Sequence, residues 1–170
     1  MTELPATAAW RHLGAREGFE AVFLRQDDDG YRFEGHATAV EEGVTWSVRY
    51  SIEVDSGWTT RRADVRSRSS AGERQLQIER DGRGEWRLDG RPMPEIAGCE
   101  DVDLEASAFT NALPVHRLGL AVGEDAEAPA AYVRAPTLRV ARLEQHYARL
   151  PDDGANARYD YVAPAFEFRA

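Results

Sequence analysis

Lysine is absent from this chain: all 21 basic residues are arginine, set against 30 acidic ones, for a formal net charge of −9. The acid excess excludes a uniform basic footprint, and with it a general nucleic-acid or anionic-membrane binder. Arginine keeps its charge in partly buried sites where lysine tends to lose a proton. One cysteine, Cys99, excludes an intramolecular disulfide framework and fits a reducing compartment or a small buried apolar residue. The first residues, Met1 to Trp10, lack a basic region followed by a long apolar run, so no secretory signal is read. No stretch approaches the roughly 20 apolar residues of a membrane span. A cytoplasmic location is the expectation.

Catalytic signatures are also missing. His12, His36, His116 and His146 stand in no metal-ligand spacing with one another. There is no Gly-x-Ser-x-Gly elbow, phosphate loop or dinucleotide fingerprint. Cys99 lies beside Glu100 and Asp101, surroundings that raise a thiol pKa and disfavour a nucleophile. No cofactor and no metal are expected.

What remains is an ordinary globular composition over 170 residues, 42% hydrophobic and 30% charged, read as one domain over residues 1–170. Its clearest signal is strict alternation. Val44, Trp46, Val48, Tyr50, Ile52 and Val54 interleave with Thr45, Ser47, Arg49, Ser51 and Glu53, the period of a strand with one apolar face. Asp55-Ser-Gly57 then supplies a turn, and Trp58–Ser69 completes a hairpin. Further strands are expected over 19–25, 31–39, 74–80, 86–88, 115–122, 131–143 and 159–168. A short helix over Ala106–Ala112 is expected to stop at Pro114. Turns at short intervals make this an all-β chain with minor α, a sandwich or barrel.

Several polar residues admit two readings. Alternation puts Arg61 on the side of Ala63 and Val65; it either pairs with Asp101 or Asp103, or grips a ligand phosphate, carboxylate or sugar hydroxyl at a cavity mouth. Asp101 and Asp103, two apart, share one side of a strand and suit pairing, capping, a divalent cation or a nucleotide-sugar. Thr110 and Asn111 fall at a helix end, where such side chains satisfy free backbone groups; Asn111, His116 and Arg117 could instead touch a polar head group. Trp46 and Tyr50 belong to strand faces that a wide, curved sheet turns inward, toward its core or toward a cavity, whereas alternation puts Trp58 on the charged face with Thr60, Arg62, Asp64, Arg66 and Arg68.

Read together, five segments resemble the bacterial family named "putative glycolipid-binding" proteins. They are Tyr50–Asp55 with Trp58-Thr-Thr-Arg61; Asp81–Trp86 with Leu88-Asp-Gly90; Gly98-Cys-Glu-Asp-Val-Asp-Leu104; Thr110-Asn-Ala-Leu-Pro-Val-His-Arg-Leu118; and Gln145 with Tyr147. The resemblance implies a strongly curved antiparallel sheet forming a partly closed barrel, similar to lipoprotein carrier proteins, with one short helix. It implies a lipid or glycolipid-like ligand. The family's polar motif residues fall on Arg61, Asp101, Asp103, Thr110, Asn111, Arg117, Gln145 and Tyr147. Ser107-Ala108 departs from the family's Thr-Pro, and the family commonly runs past Phe166–Ala170 with a further hairpin. A missing final strand would leave an open sheet edge and invite a homodimer or a different closure.

The expected function is thus non-enzymatic binding of a lipid-like ligand in an apolar cavity, bordered by Trp46, Tyr50 and Trp58 with Arg61 and Asn111 as polar contacts. Two alternatives stand beside it. One is an enzyme on a glycosyl or acyl substrate built on Asp101, Asp103, Arg61 and His116; the other is a protein-interaction domain using a sheet edge.

Overall fold

The computed structural model describes residues 4–13, 16–154, 156–166 and 168–169. Eight strands follow one another as an antiparallel meander: β1 (Thr7–His12), β2 (Glu17–Gln26), β3 (Gly30–Glu41), β4 (Val44–Asp55), β5 (Thr60–Ser69), β6 (Gly72–Arg80), β7 (Trp86–Leu88) and β8 (Arg91–Pro92). The alternating segment is β4, paired with β3 from Gly30↔Asp55 to Glu41↔Val44. Trp46, Val48, Tyr50, Ile52 and Val54 are buried on its inner face. Phe33, Ala37 and Ala39 of β3 and Ala63 and Val65 of β5 lie beside them in register. Period-two patterning and strand register therefore agree, as they must where one face is core.

Gly35 sits opposite Tyr50, and a Cβ there would lie 2.0 Å from the tyrosine ring. The missing side chain lets the ring lie across β3 toward β2.

The inner face is covered by the rest of the chain. Strand β9 (Asp101–Leu104) is followed by a 3-10 turn over Phe109–Asn111 and the helix α1 (Ala112–Leu118). Strands β10 (Asp125–Glu127), β11 (Ala130–Val133), β12 (Val140–Leu143), β13 (His146–Asp153), β14 (Asn156–Ala163) and β15 (Phe168–Arg169) complete it. β9, β11 and β12 form a three-stranded sheet, with β9 and β11 parallel, and β10, β13, β14 and β15 a four-stranded one. Ile96, Cys99, Val102, Leu104, Phe109, Leu113 and Val133 join the same buried cluster as Trp46 and Ile52.

The chain is thus mostly β, with antiparallel sheets and one short helix among the described residues. No sheet closes on itself among those residues: β1 pairs only with β2 and β8 only with β7. The expected partly closed barrel is to that extent not met. The segment from Pro94 to Leu118 supplies a second layer, which buries the apolar face without closure.

Three local expectations are corrected. The segment read as a strand over 115–122 is α1 and the loop after it, because a short apolar run does not distinguish helix from strand. Pro114 does not stop a helix; it occupies the first turn of α1, where its missing N–H has no partner to lose, and Gly119 (φ 56°) ends the helix instead. The run over 131–143 is a hairpin of β11 and β12, parted by a turn containing Pro136. Strands β1 and β13 were not read from the sequence.

Candidate ligand cleft and the polar network beside it

An apolar cleft of about 150 Å³ opens between the first three strands and α1. Trp10 of β1, Val22 and Leu24 of β2, Phe33 of β3, Trp58, Phe109 and His116 line it. Trp58 follows the Asp55–Gly57 turn, in which Asp55 Oδ1 accepts the N–H groups of Gly57 and Thr59, each at 3.0 Å. Trp58 N–H donates to the Asp55 carbonyl at 2.9 Å, and its φ of 68° lies in the left-handed region that a bulky residue rarely occupies. This backbone swings the indole onto the His116 ring, with centroids 4.0 Å apart and planes 14° from parallel. Tyr31 and Phe33 lie 4.8 and 5.6 Å from the same indole, and Phe33 meets Phe109 at 4.5 Å. Burial holds the His116 imidazole below its ordinary pKa, so a neutral ring faces the indole at pH 7.

Of the three aromatic residues expected at a cavity, only Trp58 borders this cleft. Trp46 and Tyr50 are core, 2% and 4% exposed. The Tyr50 hydroxyl donates to Glu20 Oε1 at 2.6 Å. Glu20, 1% exposed, also accepts from the Ser107 hydroxyl at 2.5 Å and from the Ala108 N–H at 2.7 Å. Burial and then the Glu20 charge push the Tyr50 phenol far above its usual pKa. Glu20 was missed from sequence, although its alternation with Val22 places an acid on an inward face.

Arg61 does not face the core. β4 and β5 pair Glu53 with Arg62 and then Val54 with Thr60, so Arg61 is the extra residue of a bulge. The bulge shifts the phase of the strand: Arg61 is exposed and pairs with Asp55 at 3.4 Å, whereas Thr60 turns inward and its hydroxyl accepts the Val102 N–H at 3.1 Å. The expected partners Asp101 and Asp103 are engaged elsewhere.

Those two acids and the remaining motif residues meet in one network. Arg117 donates to both carboxylate oxygens of Asp101, through Nε at 3.1 Å to each and Nη2 at 2.5 Å to Oδ2, and to Glu100 at 2.6 Å. The Thr110 hydroxyl donates to Asp103 Oδ1 at 2.9 Å and accepts the Leu104 N–H at 3.2 Å. The Gln145 amide donates to Asp103 Oδ2 at 2.5 Å and to the Tyr161 hydroxyl at 3.0 Å; the Tyr147 hydroxyl donates to Asn111 Oδ1 at 2.9 Å. The network therefore ties β9, the 3-10 turn and α1 to β13 and β14. Burial raises the Asp103 carboxyl to about 6, against the opposing hydrogen bonds of Thr110 and Gln145.

The four residues of the enzyme alternative are engaged with different partners. Arg61 pairs with Asp55, Asp101 with Arg117, Asp103 with Thr110 and Gln145, and His116 stacks on Trp58. Cys99 is buried and its thiol is pushed up to about 11, mainly by burial, so it stays protonated at neutral pH. Among the described residues no group of three His, Cys, Asp or Glu side chains could hold a metal ion, and no helix is long and apolar enough to cross a membrane.

Comparison with solved structures finds a DUF1089 family protein of Pseudomonas aeruginosa, 34% identical, with a TM-score of 0.74 over 95% of this chain and 84% of that one. Comparison with curated proteins finds no match. A family model described as "Putative glycolipid-binding" matches residues 7–170. Nearly the whole chain is covered, and it belongs to that family.

Proposed function

We propose that this protein is a non-enzymatic binder of a lipid- or glycolipid-like amphiphile, held where its curved, partly closed sheet meets α1. The observation that carries the reading is the aromatic cleft of about 150 Å³ lined by Trp10, Phe33, Trp58 and Phe109. A dry apolar cavity of about that size takes up a benzene ring, whereas pockets for drug-sized ligands run to about 300–1,000 Å³. The ligand segment that enters is therefore a ring or the end of an alkyl chain, and the rest of the molecule lies outside. Asn111 and His116, both exposed at the α1 side, are the polar contacts for a head group; Tyr147 occupies the Asn111 carbonyl oxygen and leaves its NH₂ as donor. Asp101, Asp103, Thr110, Arg117 and Gln145 act indirectly, by holding the layer that carries α1.

Native mass spectrometry of freshly purified protein, with lipid extraction, tests this reading together with titration of an anilinonaphthalene dye. The wild type carries an amphiphile or binds the dye. Ala112→Leu, which fills the cleft with a good helix former, lowers dye affinity at least tenfold while the protein stays folded. A lipid-free wild type that also leaves the dye dark would sink the proposal.

A further inference from the structure

The outer face of the meander carries a second feature, on the side of the sheet away from the cleft. Strand register sets His36, Arg49, Arg66 and Gln75 in one row across β3, β4, β5 and β6. All four are exposed and line a groove of about 610 Å³, together with the flanking Thr38 and Ser47. Adjacent strands lie about 4.8 Å apart, so the three basic residues span only about 10 Å. Like charges directly opposite one another destabilise a sheet. Elsewhere on the same sheet carboxylates offset that cost: Arg25 and Arg32, also opposed in register, pair with Glu34 and Glu53, Arg62 pairs with Asp64 and Glu79, and Arg68 with Glu73. Arg49 and Arg66, although the chain has nine more acids than bases, have no carboxylate within ion-pair distance among the described residues. Glu73, the acid that lines the groove, is engaged by Arg68 at 3.3 Å.

We infer that this groove is an anion site for a phosphate-bearing ligand, gripped by the opposed guanidinium groups of Arg49 and Arg66 with His36 and the hydroxyls of Thr38 and Ser47 beside them. Planar guanidinium forks match the oxygens of a phosphate and deliver two parallel hydrogen bonds each. A doubly charged group between the two arginines turns a repulsive cross-strand pair into a clamp. The His36 imidazole already senses the field, held below its ordinary pKa by burial and then by the Arg49 charge. The site is independent of the lipid cleft, since it lies on the opposite face. The same phosphate chemistry is offered by a soluble phosphate compound and by a phospholipid head group.

Calorimetric titration of the full chain with pyrophosphate, and sedimentation with phosphatidylcholine vesicles with and without phosphatidylglycerol, test the site and its source. Binding in either arm is expected, weakening as salt rises and lowered at least tenfold by Arg49→Gln or Arg66→Gln but unchanged by Arg87→Gln outside the groove. Pyrophosphate binding alone assigns a soluble phosphate; binding of phosphatidylglycerol vesicles alone assigns a lipid head group. Because each Gln variant removes a like-charge contact, both unfold no earlier than the wild type. In the wild type, NMR titration of His36 moves its pKa upward when the anion is bound. A wild type that binds in neither arm, a double variant that binds as well as wild type, or a His36 titration that ignores the ligand overturns the inference.

Discussion

The aromatic cleft and the polar network that adjoins it share α1 and the 3-10 turn before it, yet they offer a ligand opposite things. Around the cleft, six rings meet at centroid distances of 4.0 to 6.4 Å and leave space between them. Around Asp101 and Asp103, each carboxylate is met by side-chain donors of the chain itself. A buried polar group without a partner is costly, so such groups are spent internally and hold the layers in place. Open space survives where the lining is apolar and nothing demands a partner. On the proposed reading, motif residues in the network are a frame and the cleft is the part that receives the ligand.

The comparison breaks first, and hardest, at Arg117. Arg117→Ala leaves the Asp101 carboxylate buried without its cation, a loss of about 3–5 kcal/mol that urea denaturation reads directly. Survival of that variant at wild-type stability would mean the network is not the frame described. Gly35→Ala acts on the sheet beneath both regions: its methyl collides with the Tyr50 ring, and overpacking of this kind costs about 1–3 kcal/mol in the same measurement.

Asp103 sharpens the contrast through pH. Its folded-state pKa stands at about 6 against an ordinary 3.8, so the folded protein binds this proton more tightly than the unfolded chain. Its stabilising contribution is complete below the unfolded value and is lost as pH rises through the folded one. Thermal unfolding of the wild type should therefore carry a component that falls between about pH 4 and 6. Asp103→Asn should remove that component, worth on the order of 3 kcal/mol, when the two are compared across that range. The smallest stability effect belongs to Ala112→Leu in the cleft, within about 1 kcal/mol, although it lowers dye affinity at least tenfold. Equal loss of stability and binding in that variant would erase the distinction between frame and receptor.

Much of the meander was legible because its physics is local. From Trp46 to Val54 each residue declares its face, and the Asp55–Gly57 turn declares the hairpin that follows, whereas Val44 at the start of the row is exposed. Arg61 shows where that logic stops: one extra residue in β5 reverses the phase, and nothing in the alternation of Thr59 to Ser67 announces it, because a bulge is decided by what its partner strand presents. Pro114 misled for a related reason, since its ring ends a helix from within but suits the first turn. Of the motif residues named by resemblance, all but Arg61 converge, and they do so largely as partners of one another. Trp10 and Phe109, which line the cleft, carried no signal beyond being apolar.

The sequence by itself determined the strand-rich class, the inward row of β4 and the acid excess, since period, turn chemistry and charge are properties of neighbouring residues. Only the tertiary structure decided that the second half of the chain would fill the sheet's inner face, that Glu20 would accept from Tyr50 and Ser107, and that Arg49 and Arg66 would stand opposed without an acid between them. Those outcomes join residues tens of positions apart, and their energies exist only once packing has removed the water between them.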